Sequence, residues 1–204
     1  MFVLGLTGSI GMGKTTTAAL FAAEGIPVFD SDATVHELYD EAAAPLIEAA
    51  FPGTTQNGVA NRRLLAQRVL TDPAALKKLE AIVHPLVDER RRAFVADEAK
   101  KGSLIVVFDV PLLFETGLDQ EVDAVVLVTA PEAVQKARVI GRPSMTLERF
   151  SIILARQMPD AEKRVKSHFI IDTSGGFSNA ESEVRGILRA LAGVKNKDCG
   201  LCFG

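Results

Sequence analysis

Residues 8–15 read Gly-Ser-Ile-Gly-Met-Gly-Lys-Thr and satisfy the pattern G-x-x-x-x-G-K-[ST]. A loop with this spacing can turn several main-chain N–H groups inward as a nest for phosphate oxygens, where side chains at the glycine positions would obstruct the approach. A helix opening near Lys14 adds the positive end of its dipole. The chemistry this implies is binding of a nucleoside triphosphate such as ATP by Gly8, Ser9, Gly11, Met12, Gly13, Lys14, Thr15 and Thr16. Lys14 would bridge the β- and γ-phosphates, and the Thr15 hydroxyl would ligate Mg2+.

Further residues could do chemistry beside such a loop. Val-Phe-Asp-Ser-Asp (28–32) ends an apolar run with two carboxylates. A carboxylate at the ligand-binding edge of an open α/β sheet can accept the proton of an attacking hydroxyl. Aspartate also commonly caps helices, and residue type alone leaves both roles open for Asp30 and Asp32. Arg138 and Arg142 stand four residues apart, on one helical face if the helix extends that far, and Arg149, Arg156 and Arg164 continue the series. Arginines from a lid can stabilise the charge of a transferring phosphoryl group. Asp109 at the end of an apolar segment suits either water-mediated magnesium binding or simple strand termination.

The elements expected to position these residues alternate strand and helix. Phe2–Leu6, Ile26–Asp30, Leu104–Asp109, Ala124–Val128 and Phe169–Asp172 are short apolar runs of the kind found in buried parallel strands. Residues 14–23 read as a helix ending at Gly25. Asn61 and Asp72-Pro73 mark two helix starts. His84-Pro85 predicts a kink or an end, followed by a charged helix to Lys101. Ser178-Asn179-Ala180-Glu181 has the form of a capping box opening a last helix to about Ala192. The expectation is an α/β fold, a five-stranded parallel sheet with helices on both faces. The stretch 31–101 reads as a helical insertion without strands, 139–165 as a polar, mobile lid, and 194–204 as a flexible tail.

The 204 residues suit a single domain with a sizeable insertion, and an apolar fraction of 48% supplies a core. A net charge of −3 argues against a general nucleic-acid binder. No apolar run approaches the ~18 residues of a membrane span. Two cysteines, Cys199 and Cys202, leave no disulfide framework, and with no secretory signal at the N-terminus a cytoplasmic setting is expected. No obligate protein partner is indicated. A guanine-reading N-K-x-D would mark a GTPase; Asn196-Lys197-Asp198-Cys199 places its aspartate one position early. A small-molecule kinase is therefore favoured over a nucleotide-binding switch.

The ordered set GLTGSIGMGKTT (5–16), VFDSD (28–32), IVHPLV (82–87), VPLLFE (110–115), RVIGR (138–142), ILARQM (153–158) and FIIDTSG (169–175) resembles the dephospho-CoA kinase family. Ser9 stands where that family usually has glycine, Thr15 where serine is common, and Thr173 where asparagine often follows the final-strand aspartate. The resemblance implies a P-loop kinase that moves the ATP γ-phosphoryl group to the ribose 3′-hydroxyl of dephospho-CoA. It selects Asp32 as the base or hydroxyl-positioning group and gives Lys14, Arg138 and Arg142 the phosphoryl charge. It adds Thr7, His84, Leu113 and Phe114 as acceptor-site candidates beside Asp32. Another small P-loop kinase, acting on a nucleotide or sugar, is the alternative.

Overall fold

In the computed structural model, which describes residues 1–69, 72–143 and 145–192, the chain begins with β1 (Phe2–Thr7), the glycine-rich loop and α1 (Lys14–Ala23). β2 (Val28–Asp30) leads into α2 (Ser31–Asp40), α3 (Ala43–Ala50), β3 (Thr55–Gln56), β4 (Val59–Ala60), α4 (Arg62–Val69) and α5 (Pro73–Lys100). Then come β5 (Ile105–Asp109), β6 (Ala124–Thr129), α6 (Glu132–Ile140), α7 (Leu147–Leu154), α8 (Asp160–Lys166), β7 (Phe169–Asp172) and α9 (Phe177–Ala192). The expected tail, with Cys199, Cys202 and the Asn196–Cys199 stretch, lies outside the described residues. Among the described residues no helix is long and apolar enough to cross a membrane.

The chain divides into two compact units, Asp30–Lys100 and the remainder. In the remainder, a parallel sheet runs in the order β2-β5-β1-β6-β7. Its central strands are buried on both sides, which is why they are continuous apolar runs rather than alternating ones. Leu4, Leu6, Val107, Val126, Val128 and Ile171 turn to one face, where Ala18 and Phe21 of α1 and Val184, Ile187 and Leu191 of α9 cover them. Residues of opposite parity face the other way. There Gly5 admits Leu113, whose Cδ2 would lie 2.8 Å from a Cβ at that glycine.

In the unit Asp30–Lys100, α2, α3, α4 and α5 surround a second core of Leu38, Ile47, Phe51, Leu65, Leu79 and Val83. Asn61 Oδ1 accepts from the N–H groups of Arg63 and Leu64, and Asp72 Oδ1 from those of Ala74 and Ala75, so both expected helix starts are capped by the residues named for it. Two expectations are corrected. The unit holds an antiparallel hairpin, β3 with β4, turned by Asn57 (φ 52) and Gly58 (φ 80). Asn-Gly with both residues left-handed is the turn that matches strand twist. Second, of the kink or end expected at His84-Pro85, the end is corrected, because α5 continues through Pro85 to Lys100. Proline inside a helix costs about 3 kcal/mol. Buried Leu79 and Val83, with Ile82, Leu86 and Val87 packed on the same core, hold the helix together on both sides of the ring.

Two helix boundaries in the sheet-containing unit also differ. α9 opens at Phe177, so Ser178 lies inside it rather than capping it. α6 ends at Ile140, leaving Arg142 just beyond the helix that carries Arg138.

Candidate active site

The loop 8–13 connects β1 to α1 at the C-terminal edge of the sheet. Its glycines answer to neighbouring protein as well as to any phosphate. A Cβ at Gly8 would lie 2.6 Å from the Val128 carbonyl oxygen, and one at Gly11 would lie 2.4 Å from Val139 Cγ2 of α6. Gly11 and Gly13 have φ of 80° and 97°, the left-handed region where a side chain is strained. The loop is thus wedged between β6 and α6 with its main chain in contact. Met12 and Ser9 are buried; the Met12 thioether accepts the Ala130 N–H, while Thr15 and Thr16 remain exposed in the first turn of α1.

Lys14 Nζ donates to Asp109 Oδ1 at 2.5 Å. Asp109, the last residue of β5, is only 3% exposed, and its oxygens and the Thr15 hydroxyl are hard donors of the type magnesium accepts. Beside the two roles left open for Asp109, the structure shows a third, as ion-pair partner of the loop lysine.

Thr173, the position where the chain departs from the resembled pattern, proves to be a junction. Its hydroxyl donates to the Met12 carbonyl at 2.7 Å and accepts from Arg138 Nη1 at 2.7 Å, while Arg138 Nη2 donates to the Thr173 carbonyl at 2.8 Å. One short side chain therefore ties the phosphate loop to the first of the expected arginines. Beside it lies a cavity of ≈ 340 Å³ whose walls include Gly13, Thr16, Arg138, Arg142, Thr173 and Phe177. Arg142 reaches this cavity although α6 has ended. Phe177, 62% exposed, is a lining residue that sequence reasoning did not single out; its signal was an aromatic directly after Gly175-Gly176, close behind the last strand. At the start of that turn Asp172 accepts from the Ser174 hydroxyl and N–H, which with the positive charge of Arg164 and Arg138 holds its carboxyl below the usual range. Thr173→Val keeps the shape and removes the hydroxyl. A hydrogen bond to a charged group contributes about 1.5–3 kcal/mol, so a loss of turnover of roughly tenfold or more is expected, with Thr173→Ser near wild type. Steady-state rates of the two variants check this.

The stretch 139–165 contains the end of α6, all of α7 and most of α8. Its base is pinned to the sheet unit at several points. Arg164 pairs with Asp160 and donates to Thr129 at the end of β6. Glu115 Oε1 accepts the Met158 N–H at 2.7 Å and lies 3.0 Å from the fully buried Lys163 Nζ, an ion pair outside hydrogen-bond angles. Arg149 and Arg156 do not line the cavity that holds Arg138 and Arg142.

The remaining candidates fall into different environments. Thr7 is fully buried and donates to the Pro111 carbonyl at 3.2 Å. Leu113 is fully buried, and Phe114 is buried with Lys166 Nζ 5.9 Å from its ring centroid. In the other unit, Asp30 Oδ1 caps α2 by accepting the Ala33 N–H at 2.9 Å. Asp32, in the first turn of that helix, is exposed, and its side chain makes no hydrogen bond or ion pair among the described residues. His84 is exposed on α5.

The sequence model of the dephospho-CoA kinase family matches residues 2–179. A dephospho-CoA kinase of Mesorhizobium japonicum is 57% identical over 195 residues, covering 96% of this chain and 99% of that one. The crystal structure of TT1252 from Thermus thermophilus superposes with a TM-score of 0.81 at 34% identity, covering 93% of this chain and 97% of the other. A dephospho-CoA kinase from Campylobacter jejuni shares the fold, with a TM-score of 0.63 at 20% identity over 93% of this chain and 96% of the other.

Proposed function

The chain belongs to the dephospho-CoA kinase family, and from that premise we propose that it transfers the γ-phosphoryl group of ATP to the ribose 3′-hydroxyl of dephospho-CoA, giving coenzyme A and ADP. The observation that carries the reading in the structure is the glycine loop tied to Arg138 through the Thr173 hydroxyl, with Arg142 on the wall of the adjoining cavity and Lys14, at the end of the loop, paired with Asp109. Phosphoryl transfer asks little covalent chemistry of a protein; it asks for positioning and for cations where charge develops.

Each residue then has a role. The amides of the loop and Lys14 hold the triphosphate, and Arg138 and Arg142 face the charge that shifts as the phosphoryl group leaves ADP. Mg2+ arriving with ATP would be held by the Thr15 hydroxyl, with Asp109 as the nearby acid, and it neutralises phosphate charge. Asp32 is free to engage the acceptor hydroxyl because Asp30 is the one that caps the helix. Thr7, His84, Leu113 and Phe114 remain acceptor-site proposals, the buried three through the shape they give the surrounding surface. The setting we infer is cytoplasmic, with ATP and dephospho-CoA as the partners and no role for nucleic acid or membrane.

ADP release measured with a panel of acceptors tests this. Dephospho-CoA should be turned over far faster than adenosine, AMP or shikimate. Equal or better turnover of one of those would replace the assignment with another small-molecule kinase.

A further inference from the structure

We propose that Gln135 and Gln157 are positioning residues that hold the phosphate loop in its binding shape through the main chain of Ile10. Ile10 lies at the crest of the loop, between Ser9 and Gly11. Its carbonyl accepts a hydrogen bond from Gln135 Nε2 at 2.8 Å, and its N–H donates to Gln157 Oε1 at 3.0 Å. The two glutamines come from separate elements, one inside α6 and one in the turn after α7. Together they fix both peptide planes that flank Ile10.

That is the part of the loop least able to hold itself. Gly11 follows with φ of 80° and no side chain to resist rotation, so the plane between residues 10 and 11 is free to turn its carbonyl toward the nest. A carbonyl facing phosphate oxygens in place of an N–H converts attraction to repulsion. Holding the plane in advance removes an ordering cost from ATP binding.

The supports of the two glutamines are built in. Gln135 is buried within α6, the helix whose Val139 blocks a side chain at Gly11. Gln157 is fixed by its successor, since the Met158 N–H is bound by Glu115, which also faces the buried Lys163. Glu115 closes the VPLLFE segment, so that acid acts on the loop through Gln157. The two glutamines also use opposite ends of the same group: Gln135 gives its NH2 and Gln157 its carbonyl oxygen.

This inference rests on the loop being the ATP phosphate site, and its opposite polarities supply the test. Gln157→Glu keeps an acceptor for the Ile10 N–H, while Gln135→Glu sets a carboxylate against the Ile10 carbonyl. Both add one negative charge beside the same peptide, so charge alone weakens nucleotide binding in both. Calorimetric titration of each variant with a non-hydrolysable ATP analogue and Mg2+ should show Gln135→Glu binding about tenfold more weakly than Gln157→Glu. In steady state the KM for ATP should rise in the same order, with the acceptor KM unchanged. If Gln135→Glu does not fold, Gln135→Met removes the donor without adding charge and should weaken analogue binding about tenfold against wild type. Equal affinities for the two Glu variants, or a Gln135→Met affinity within twofold of wild type, would overturn the proposal. Analogue binding needs no acceptor, so failure of wild type to use dephospho-CoA would count against the assigned reaction and leave this comparison standing.

Discussion

Replacing Asp32 with asparagine is expected to lower turnover by roughly 10²–10⁴-fold, the range for loss of general-base assistance, with ATP affinity nearly unchanged. The substitution keeps size and hydrogen-bonding reach and removes the charge that would accept a proton. A loose phosphoryl-transfer transition state requires little early proton removal, so part of the loss reflects orientation of the hydroxyl. Asp30→Asn is the matched control. Asparagine caps helices as well as aspartate does, so α2 should survive that change and turnover should stay near wild type. Rates and nucleotide affinities of the two variants, measured together, decide between the carboxylates. Loss in Asp30→Asn with near-normal rates in Asp32→Asn would mean that the helix cap is the reacting acid.

Lys14→Met is expected to reduce turnover by about 10²–10³-fold and to weaken ATP binding as well, because in the proposed complex the lysine meets the phosphates before and during transfer. It also removes the cation from a carboxylate that is almost wholly buried. Breaking one side of a buried pair costs about 3–5 kcal/mol, so the melting temperature should fall too. The two effects are separable. Adding Asp109→Asn to Lys14→Met removes the buried charge that faced the lysine and should recover part of the melting temperature without recovering turnover. Recovery of both together would show that Lys14 acts on stability alone.

Much of this fold is legible in the chain because its signals are local. β1, β5 and β6 announce themselves as unbroken apolar runs, since both of their faces are buried. Asn61 and Asp72 name their own helices through side chains that bond two or three residues ahead. The hairpin at 55–60 escaped because its strands are two residues long, too short for alternation, although Asn57-Gly58 carried the turn signal. Pro85 misled because tertiary packing of α5 outweighs a local penalty.

The same division runs through the site. The glycine loop and Lys14 lie within one octet, and the octet suffices to read them. Thr173 is 161 positions from Met12, and Gln157 is 147 from Ile10. Their roles depend on β7 and the α7–α8 turn being brought beside the loop, and no spacing in the chain encodes that. Resemblance to a family marked Thr173 as a departure, yet only the structure shows the threonine hydroxyl serving the loop and Arg138 at once.

The most direct measurement is the identity of the product. Purified protein is incubated with ATP, Mg2+ and dephospho-CoA, and the product is examined by ³¹P NMR and mass spectrometry beside a control lacking acceptor. One new phosphomonoester on the ribose 3′-oxygen, coenzyme A, is expected, formed in step with ADP and absent from the control. Phosphate on any other atom, or ADP released at the same rate without dephospho-CoA, would contradict it.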